Sequence, residues 1–240
     1  MKPAPKHTPR PDPRAMATAI KDLLQASGLP PECRDLRVTP RRVARFWCEE
    51  FLAGYRQDPA TILWRGVAEE DVSCALTPSG LIVVTGLRFH SMCPHHLLPS
   101  YGTAAVAYVP SGRLFGFGQI ARLVDCLTQR LTLQEHATRE IAQALMDHGG
   151  TRGAGCVLRA VHLCLALPGD RHDQSEVVTS SFVGILADRK ELQRQLLAAA
   201  RGEGKGQDTV PNLTPRRAGV SKKGRASPLK SGLPKRRRSP

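Results

Sequence analysis

Residues 81–109 read LIVVTGLRFHSMCPHHLLPSYGTAAVAYV, two apolar segments separated by a stretch that contains cysteine, histidine and proline. The first segment, 81–90, is apolar and β-branched, which is typical of a β-strand. The last, 103–109, has the same character and is followed by a Pro-Ser-Gly turn signal. We therefore predict two strands that hold the intervening residues between them.

The stretch between these strands contains Cys93, His95 and His96, and a second pair, His162 and Cys164, follows about seventy residues later in an apolar segment. Thiolate and imidazole are the ligands that zinc prefers. Residues i and i+2 of a strand point to one face, so we predict that His162 and Cys164 converge on one side of a sheet.

Five such residues exceed the four ligands of a closed structural zinc site. If three of them bind the ion, its fourth position stays open for water or substrate, which is the arrangement of a catalytic zinc. The alternative is that these side chains are packed or solvated and bind no metal, because an isolated CxxH motif is a weak signal.

Apolar periodicity along the remaining sequence predicts helices and further strands. The predicted helices span 15–27, 39–54, 118–130, 132–148 and 192–200. Predicted strands span 156–167 and 177–186, and residues 59–79 are ambiguous, with a short strand near 72–76. Two pairs of strands separated by a helix pair predict an α+β domain whose antiparallel sheet is covered on one face by helices.

The net charge of +14 belongs to the ends of the chain. Residues 201–240 contain twelve Lys or Arg against two Asp or Glu, and residues 1–14 contain four against one, which leaves about +1 for 15–200. We expect both ends to be disordered, and the basic C-terminal tail to be either a solvated extension or a nonspecific contact for nucleic acid.

Several classes of protein are disfavoured by the sequence. Seven unevenly spaced cysteines do not form a disulfide framework in a chain of this size, so a reducing, cytoplasmic location is expected. The N-terminus lacks the apolar region of a secretory signal, and no stretch approaches eighteen consecutive apolar residues, so no membrane span is expected.

Six segments, in this order, resemble GTP cyclohydrolase I: TPRR, FHSMCPHHLLPSYG, VAYVPSG, QRLTLQEHATREIAQAL, AVHLCL and VVTSSFVG. The resemblance implies a tunnelling fold (T-fold), in which antiparallel sheets from several subunits close into an oligomeric β-barrel, and a homodecamer with active sites at subunit interfaces. It implies hydrolysis of GTP at purine C8, with release of formate and rearrangement to 7,8-dihydroneopterin triphosphate, the first step of tetrahydrofolate and pterin biosynthesis. The implied catalytic domain spans 15–200, with a helical segment at 15–54 and a core at 80–200.

The resemblance also assigns roles to individual residues. The implied ligands of one zinc ion per subunit are Cys93, His96 and Cys164. His95 corresponds to a proton donor to the opening imidazole ring, and His162 to an acid/base residue of the later steps. Gln134 and Glu135 match the pair that holds guanine, although Thr132 and Glu135 are also spaced as a helix capping box. Arg42 and Arg122 fall where the family binds triphosphate.

Four positions depart from the family pattern. Pro94 stands where the family usually has Glu, Gly118 and Gln119 replace a Ser-Lys pair, and Pro168 replaces an Arg. Loss of cationic phosphate contacts leaves two alternatives to the cyclohydrolase. One is a paralogue that acts on a different or less phosphorylated guanine compound, and the other is a zinc-stabilised binding protein whose basic tail contacts nucleic acid.

Overall fold

The computed structural model describes residues 10–30, 33–64, 67–68, 80–168 and 175–202. The α-helices are α1 (Pro13–Ala26), α2 (Thr39–Phe46), α3 (Pro59–Trp64), α4 (Phe117–Thr128), α5 (Gln134–Asp147), α6 (Leu163–Ala166), α7 (Ile185–Asp188) and α8 (Lys190–Arg201). The strands are β1 (Val67–Ala68), β2 (Ile82–Met92), β3 (Pro99–Val109), β4 (Arg113–Leu114), β5 (Gly153–His162) and β6 (Val177–Gly184).

Four strands form an antiparallel sheet in the order β2-β3-β5-β6. The register places Met92 opposite Pro99 and Ser100 opposite His162. The end of β2, the start of β3 and the end of β5 therefore meet at one end of the sheet, next to the segments that contain the candidate metal ligands. The strands β1 and β4 form a separate two-stranded pair.

The two faces of the sheet are covered by different helices. Val106 and Tyr108 of β3 and Leu158 of β5 face α4 and α5, where Ile120, Leu123, Ile141 and Leu145 are fully buried. The alternate residues Ala107 and Val157 face Leu186 of α7 and Leu196 of α8. Gly155 permits this contact, since a Cβ there would lie 2.8 Å from Leu196 Cδ2. The α+β prediction is confirmed, but the expectation that helices cover only one face is wrong.

The N-terminal segment also differs from the prediction. The predicted helix 39–54 is α-helical only through Phe46 and continues as a π-helix (Trp47–Phe51) and a 3₁₀-helix (Ala53–Arg56). Phe46, the last residue of the α-helical part, is 54% exposed, and its ring packs edge-on against that of Phe51. Helix α1 begins at Pro13 with Asp12 as its N-cap, so residues 13 and 14 are not part of a disordered tail.

Two predictions concern segments that lie largely outside the residues described by the structure. The strand proposed near 72–76 and nearly all of the C-terminal tail lie outside the described residues. Within the described part of the chain, no helix is long and apolar enough to cross a membrane.

Candidate metal and active site

The loop between β2 and β3 is a compact turn that presents two candidate ligands. Leu97 N–H donates to Cys93 O, and Cys93 N–H donates to Leu98 O, both at 3.0 Å. Leu97 adopts a φ of 53°, a left-handed conformation that is uncommon for a residue with a side chain. This turn brings Cys93 Sγ to 3.5 Å from His96 Nδ1.

The third candidate ligand, Cys164, lies just after the end of β5. The predicted strand 156–167 stops at His162, and Cys164 lies in the short helix α6. The expectation that His162 and Cys164 share one face of a strand is therefore wrong. The pairing of β3 with β5 ends at Ser100 and His162. Pro99, the residue before Ser100, has no N–H and so cannot donate a hydrogen bond that would extend the ladder.

The change from strand to helix turns Cys164 toward the loop. The ligand atoms of Cys93, His96 and Cys164 all lie within 4.8 Å of one another, so these residues form a group that could hold a metal ion. Burial raises the pKa of Cys164, and the neighbouring Cys93 raises it further because two thiolates repel each other. A cation offsets that repulsion, and two sulfurs with one imidazole are the donors of a three-ligand zinc site. The residues present therefore fit zinc.

The two remaining histidines lie beside the three-ligand group without belonging to it. His95 is exposed, and its ring stands edge-on to that of His96 with centroids 6.3 Å apart. His162 is partly buried, and its Nε2 lies 2.7 Å from Gln134 Oε1. Burial lowers the pKa of His162, and the nearby Glu135 carboxylate opposes this effect.

Gln134 and Glu135 begin helix α5 and face different surroundings. Gln134 is 6% exposed, and its Nε2 lies 3.0–3.2 Å from Leu158 O, Val177 O and Thr179 Oγ1. Glu135 is exposed. The capping-box alternative is wrong, because the N-cap of α5 is Leu133 and the Thr132 hydroxyl donates to Leu133 O.

Two threonines near Gln134 were not singled out from the sequence. Thr138 Oγ1 lies 2.6 Å from both Gln134 O and Thr179 Oγ1. The i,i+4 spacing of Gln134 and Thr138 on one helix face could have indicated their contact. No sequence pattern indicated that Thr179 would contact Gln134 and Thr138, because its position depends on how α5 packs on β6.

Comparisons with known proteins agree with this geometry. The family model described as GTP cyclohydrolase I matches residues 16–201. The chain belongs to the GTP cyclohydrolase I family. The protein named GTP cyclohydrolase 1 of Chromobacterium violaceum is 40% identical over 188 residues, 78% of this chain and 88% of that protein. Those of Ralstonia nicotianae and Deinococcus radiodurans are 37% and 33% identical and align with 80% and 85% of this chain and with 88% and 92% of their own lengths.

A solved structure titled as the archaeosine synthase QueF-Like in the apo form matches with a TM-score of 0.38 and 17% identity, over 45% of this chain and 97% of that one. A likeness at this level adds no argument about this chain. The antiparallel sheet with its helix pair is consistent with the T-fold that membership of the GTP cyclohydrolase I family implies.

Of the four positions where this member of the GTP cyclohydrolase I family departs from the expected pattern, Pro94 lies in the loop between β2 and β3, and the others lie at the start of α4 and just after α6. Gln119 Oε1 accepts from Gly116 N–H at 3.0 Å, and its Nε2 donates to Ile62 O at 2.9 Å. Both ends of that side chain are therefore used inside the fold. Pro168 is exposed just after α6.

The two predicted phosphate-binding arginines lie on separate helices. Arg122 lies on α4, and its Nε donates to Gly118 O at 3.4 Å, while Arg42 lies on α2 in the N-terminal helical segment. Both side chains are exposed. Their contacts with phosphate stay predictions.

Proposed function

We propose that this protein is a GTP cyclohydrolase I, which hydrolyses GTP at purine C8, releases formate and forms 7,8-dihydroneopterin triphosphate. The observation that carries the proposal is the convergence of Cys93, His96 and Cys164 beside His162, in a chain whose family match spans residues 16–201. The product is a precursor of pterins and tetrahydrofolate.

The proposed resident metal is one zinc ion held by Cys93, His96 and Cys164. When bound, such an ion would act as a Lewis acid and lower the pKa of a coordinated water toward neutrality. The three donors leave one tetrahedral position open, whereas a closed structural site uses four. In the described residues no fourth Cys, His, Asp or Glu joins the group, which argues against a purely structural zinc protein.

The two histidines outside the group are suited to move protons. His95 is exposed beside the metal ligand His96, so an incoming purine can reach its ring, and we propose that it protonates the ring nitrogen released when the imidazole opens. Burial lowers the pKa of His162, which favours the neutral ring, and we propose that this ring accepts a proton in a later step.

Guanine recognition is proposed for Glu135. A carboxylate that accepts from guanine N1–H and the exocyclic amine rejects adenine, because adenine offers no matching N1–H donor. The guanine contact predicted for Gln134 stays a prediction. We do not extend the proposal to it, because its side-chain amide is already bonded to the backbone oxygens of Leu158 and Val177.

Triphosphate binding is proposed for Arg122 and for Arg42, the latter across a subunit interface. The family implies a homo-oligomer, and the decamer is our proposal for its size. We also propose that the basic tail, 201–240, contacts nucleic acid, because phosphate neutralisation by Lys and Arg requires no fold. Retention of the full chain on immobilised duplex DNA should fall with salt and be absent for residues 1–202; equal retention of both would contradict this role.

The test of the activity is incubation of the zinc-loaded protein with GTP, following formate and pterin absorbance together. Equal concentrations of GDP, GMP and guanosine serve as parallel substrates, and the variant Cys164→Ala as a control for contaminating enzyme. Formate with a pterin product from GTP supports the proposal. Turnover of GMP or guanosine in preference to GTP would overturn it in favour of a paralogue with a less phosphorylated substrate.

A further inference from the structure

The amide of Gln134 can adopt only one orientation. Its nitrogen faces the carbonyl oxygens of Leu158 at 3.2 Å and Val177 at 3.0 Å. A carbonyl oxygen only accepts hydrogen bonds, so the atom facing both must be the NH₂ group. The amide oxygen Oε1 is therefore the atom that faces His162.

The neighbouring threonines enforce the same orientation. The hydroxyl of Thr138 donates its one hydrogen to Gln134 O at 2.6 Å, because that carbonyl cannot donate. At the 2.6 Å contact between the two hydroxyls, Thr179 must then supply the hydrogen. Having donated to Thr138, Thr179 Oγ1 acts as an acceptor toward Gln134 Nε2 at 3.0 Å. The two amide hydrogens are therefore shared among three acceptors, Thr179 Oγ1 and the carbonyl oxygens of Leu158 and Val177.

The orientation of the amide determines where the proton of His162 resides. Gln134 Oε1 has lone pairs and no hydrogen, so the contact of 2.7 Å requires a hydrogen on His162 Nε2. In the neutral ring the lone pair is then on Nδ1. Gln134 is 6% exposed, so little water competes for this bond. Within the described residues, His162 Nδ1 has no hydrogen-bond partner.

We propose that Gln134 is a positioning residue that holds His162 in the Nε2–H tautomer, so that Nδ1 is the atom that exchanges protons with the substrate. The proposal rests on the proposed cyclohydrolase function. A proton taken from the substrate joins the Nδ1 lone pair and is later returned from Nδ1 to the substrate, while the Nε2–H bond to Gln134 is kept throughout. The amide oxygen also stabilises the positive charge of the intermediate imidazolium.

The tautomer is tested without substrate, so this test is independent of whether GTP is turned over. Protein labelled with ¹⁵N-histidine and loaded with zinc is compared by solid-state NMR with the His162→Gln variant, which identifies the His162 signals. We expect a protonated Nε2 and an unprotonated Nδ1 near pH 8. A protonated Nδ1 in the neutral ring would overturn the proposal.

The positioning role is tested with Gln134→Met, which removes the amide oxygen that faces His162 Nε2 while keeping an apolar side chain of similar length. We expect kcat to fall about 10- to 100-fold with zinc content unchanged. An unchanged kcat, or loss of zinc together with activity, would overturn the role.

Gln134→Met provides a direct check on the same bond. It removes the amide oxygen, so the ¹⁵N signals of His162 should shift toward a mixture of both tautomers. Unchanged His162 signals would show that another group selects the tautomer. A wild-type protein with the expected Nε2–H signal but no turnover of GTP would overturn the proposed function and leave the tautomer assignment standing.

Discussion

At the scale of single residues, the sequence identified which side chains meet but not how they are oriented. Cys93, His96 and Cys164 were chosen on residue type and resemblance, and the structure brings them within 4.8 Å of one another. The left-handed conformation of Leu97 was not predictable, because glycine is the residue that usually adopts it. The bonds of Gln134 also escaped prediction, since they depend on tertiary packing.

We propose separate roles for His95 and for the three metal ligands, so their substitutions should cause different losses of bound zinc and of turnover. His95→Ala should keep stoichiometric zinc and lose turnover by a factor of roughly 10²–10⁴, because general acid catalysis contributes about that much. Cys164→Ala should lose both, since it removes one of only three donors. The measurements are zinc per subunit and formate release. Loss of zinc from the His95 variant would contradict this separation of roles.

Gln119 provides a test of the altered phosphate region. Gln119→Lys places a cation where the family resemblance implies a phosphate-binding lysine, and a charge-assisted hydrogen bond contributes about 1.5–3 kcal/mol. We expect KM for GTP to fall about tenfold or more, while Tm falls because the bond from Gly116 N–H to Gln119 Oε1 is lost.

Gln119→Met is the matched control, because it also loses that bond but adds no charge. It should lower Tm without improving KM. An unchanged KM in the Lys variant would mean that this side chain does not reach the phosphates.

At the scale of elements, most helices and strands were predicted to within a few residues, and the errors have local causes. Apolar periodicity located α4 and α5 because each has one clearly buried face, and an apolar, β-branched composition located β2. The strand predicted for 156–167 was too long because the segment VHLCLAL suits a strand as well as a helix. The β3–β5 ladder ends beside Pro99, which has no N–H to donate. The π-helical turn at Trp47–Phe51 has no comparable sequence signal.

Asp58 is expected to stabilise the start of helix α3. Its carboxylate accepts from Thr61 N–H at 3.1 Å and from the Thr61 hydroxyl at 2.7 Å. Asp58→Ala should lower the free energy of unfolding by about 1 kcal/mol, whereas Asp58→Asn retains an acceptor and should cost less. Denaturant titration of the three proteins measures the difference.

The same contacts predict a pH dependence. The hydrogen bond from Thr61 lowers the pKa of Asp58 below its ordinary value, so the folded state favours the carboxylate. The stabilisation is present above the unfolded pKa of about 3.9 and is lost as the pH falls through the lower folded value. Relative to wild type, Asp58→Asn should therefore show less loss of stability below pH 4. An equal loss in both proteins would contradict the assignment.

At the scale of the whole molecule, the sheet is incomplete in one chain. Among the described residues, β2 pairs only with β3 and β6 pairs only with β5, so both outer edges are unpaired. Exposed strand edges favour pairing with further strands. We therefore expect light scattering to give a mass several times the 26.1 kDa of one chain. Residues 1–202 should assemble equally well, and a monomer at micromolar concentration would contradict this expectation.

The separation of the metal ligands along the chain has a consequence for biosynthesis. Cys93 and His96 leave the ribosome almost together, whereas Cys164 follows His96 by 68 residues. At 5–20 residues per second, this interval is roughly 3 to 14 s. During that time the loop offers only two donors, from which a captured ion exchanges readily. For the proposed metal site, we therefore expect the choice of metal to be made late, when β5 adds to β3 and the third donor arrives.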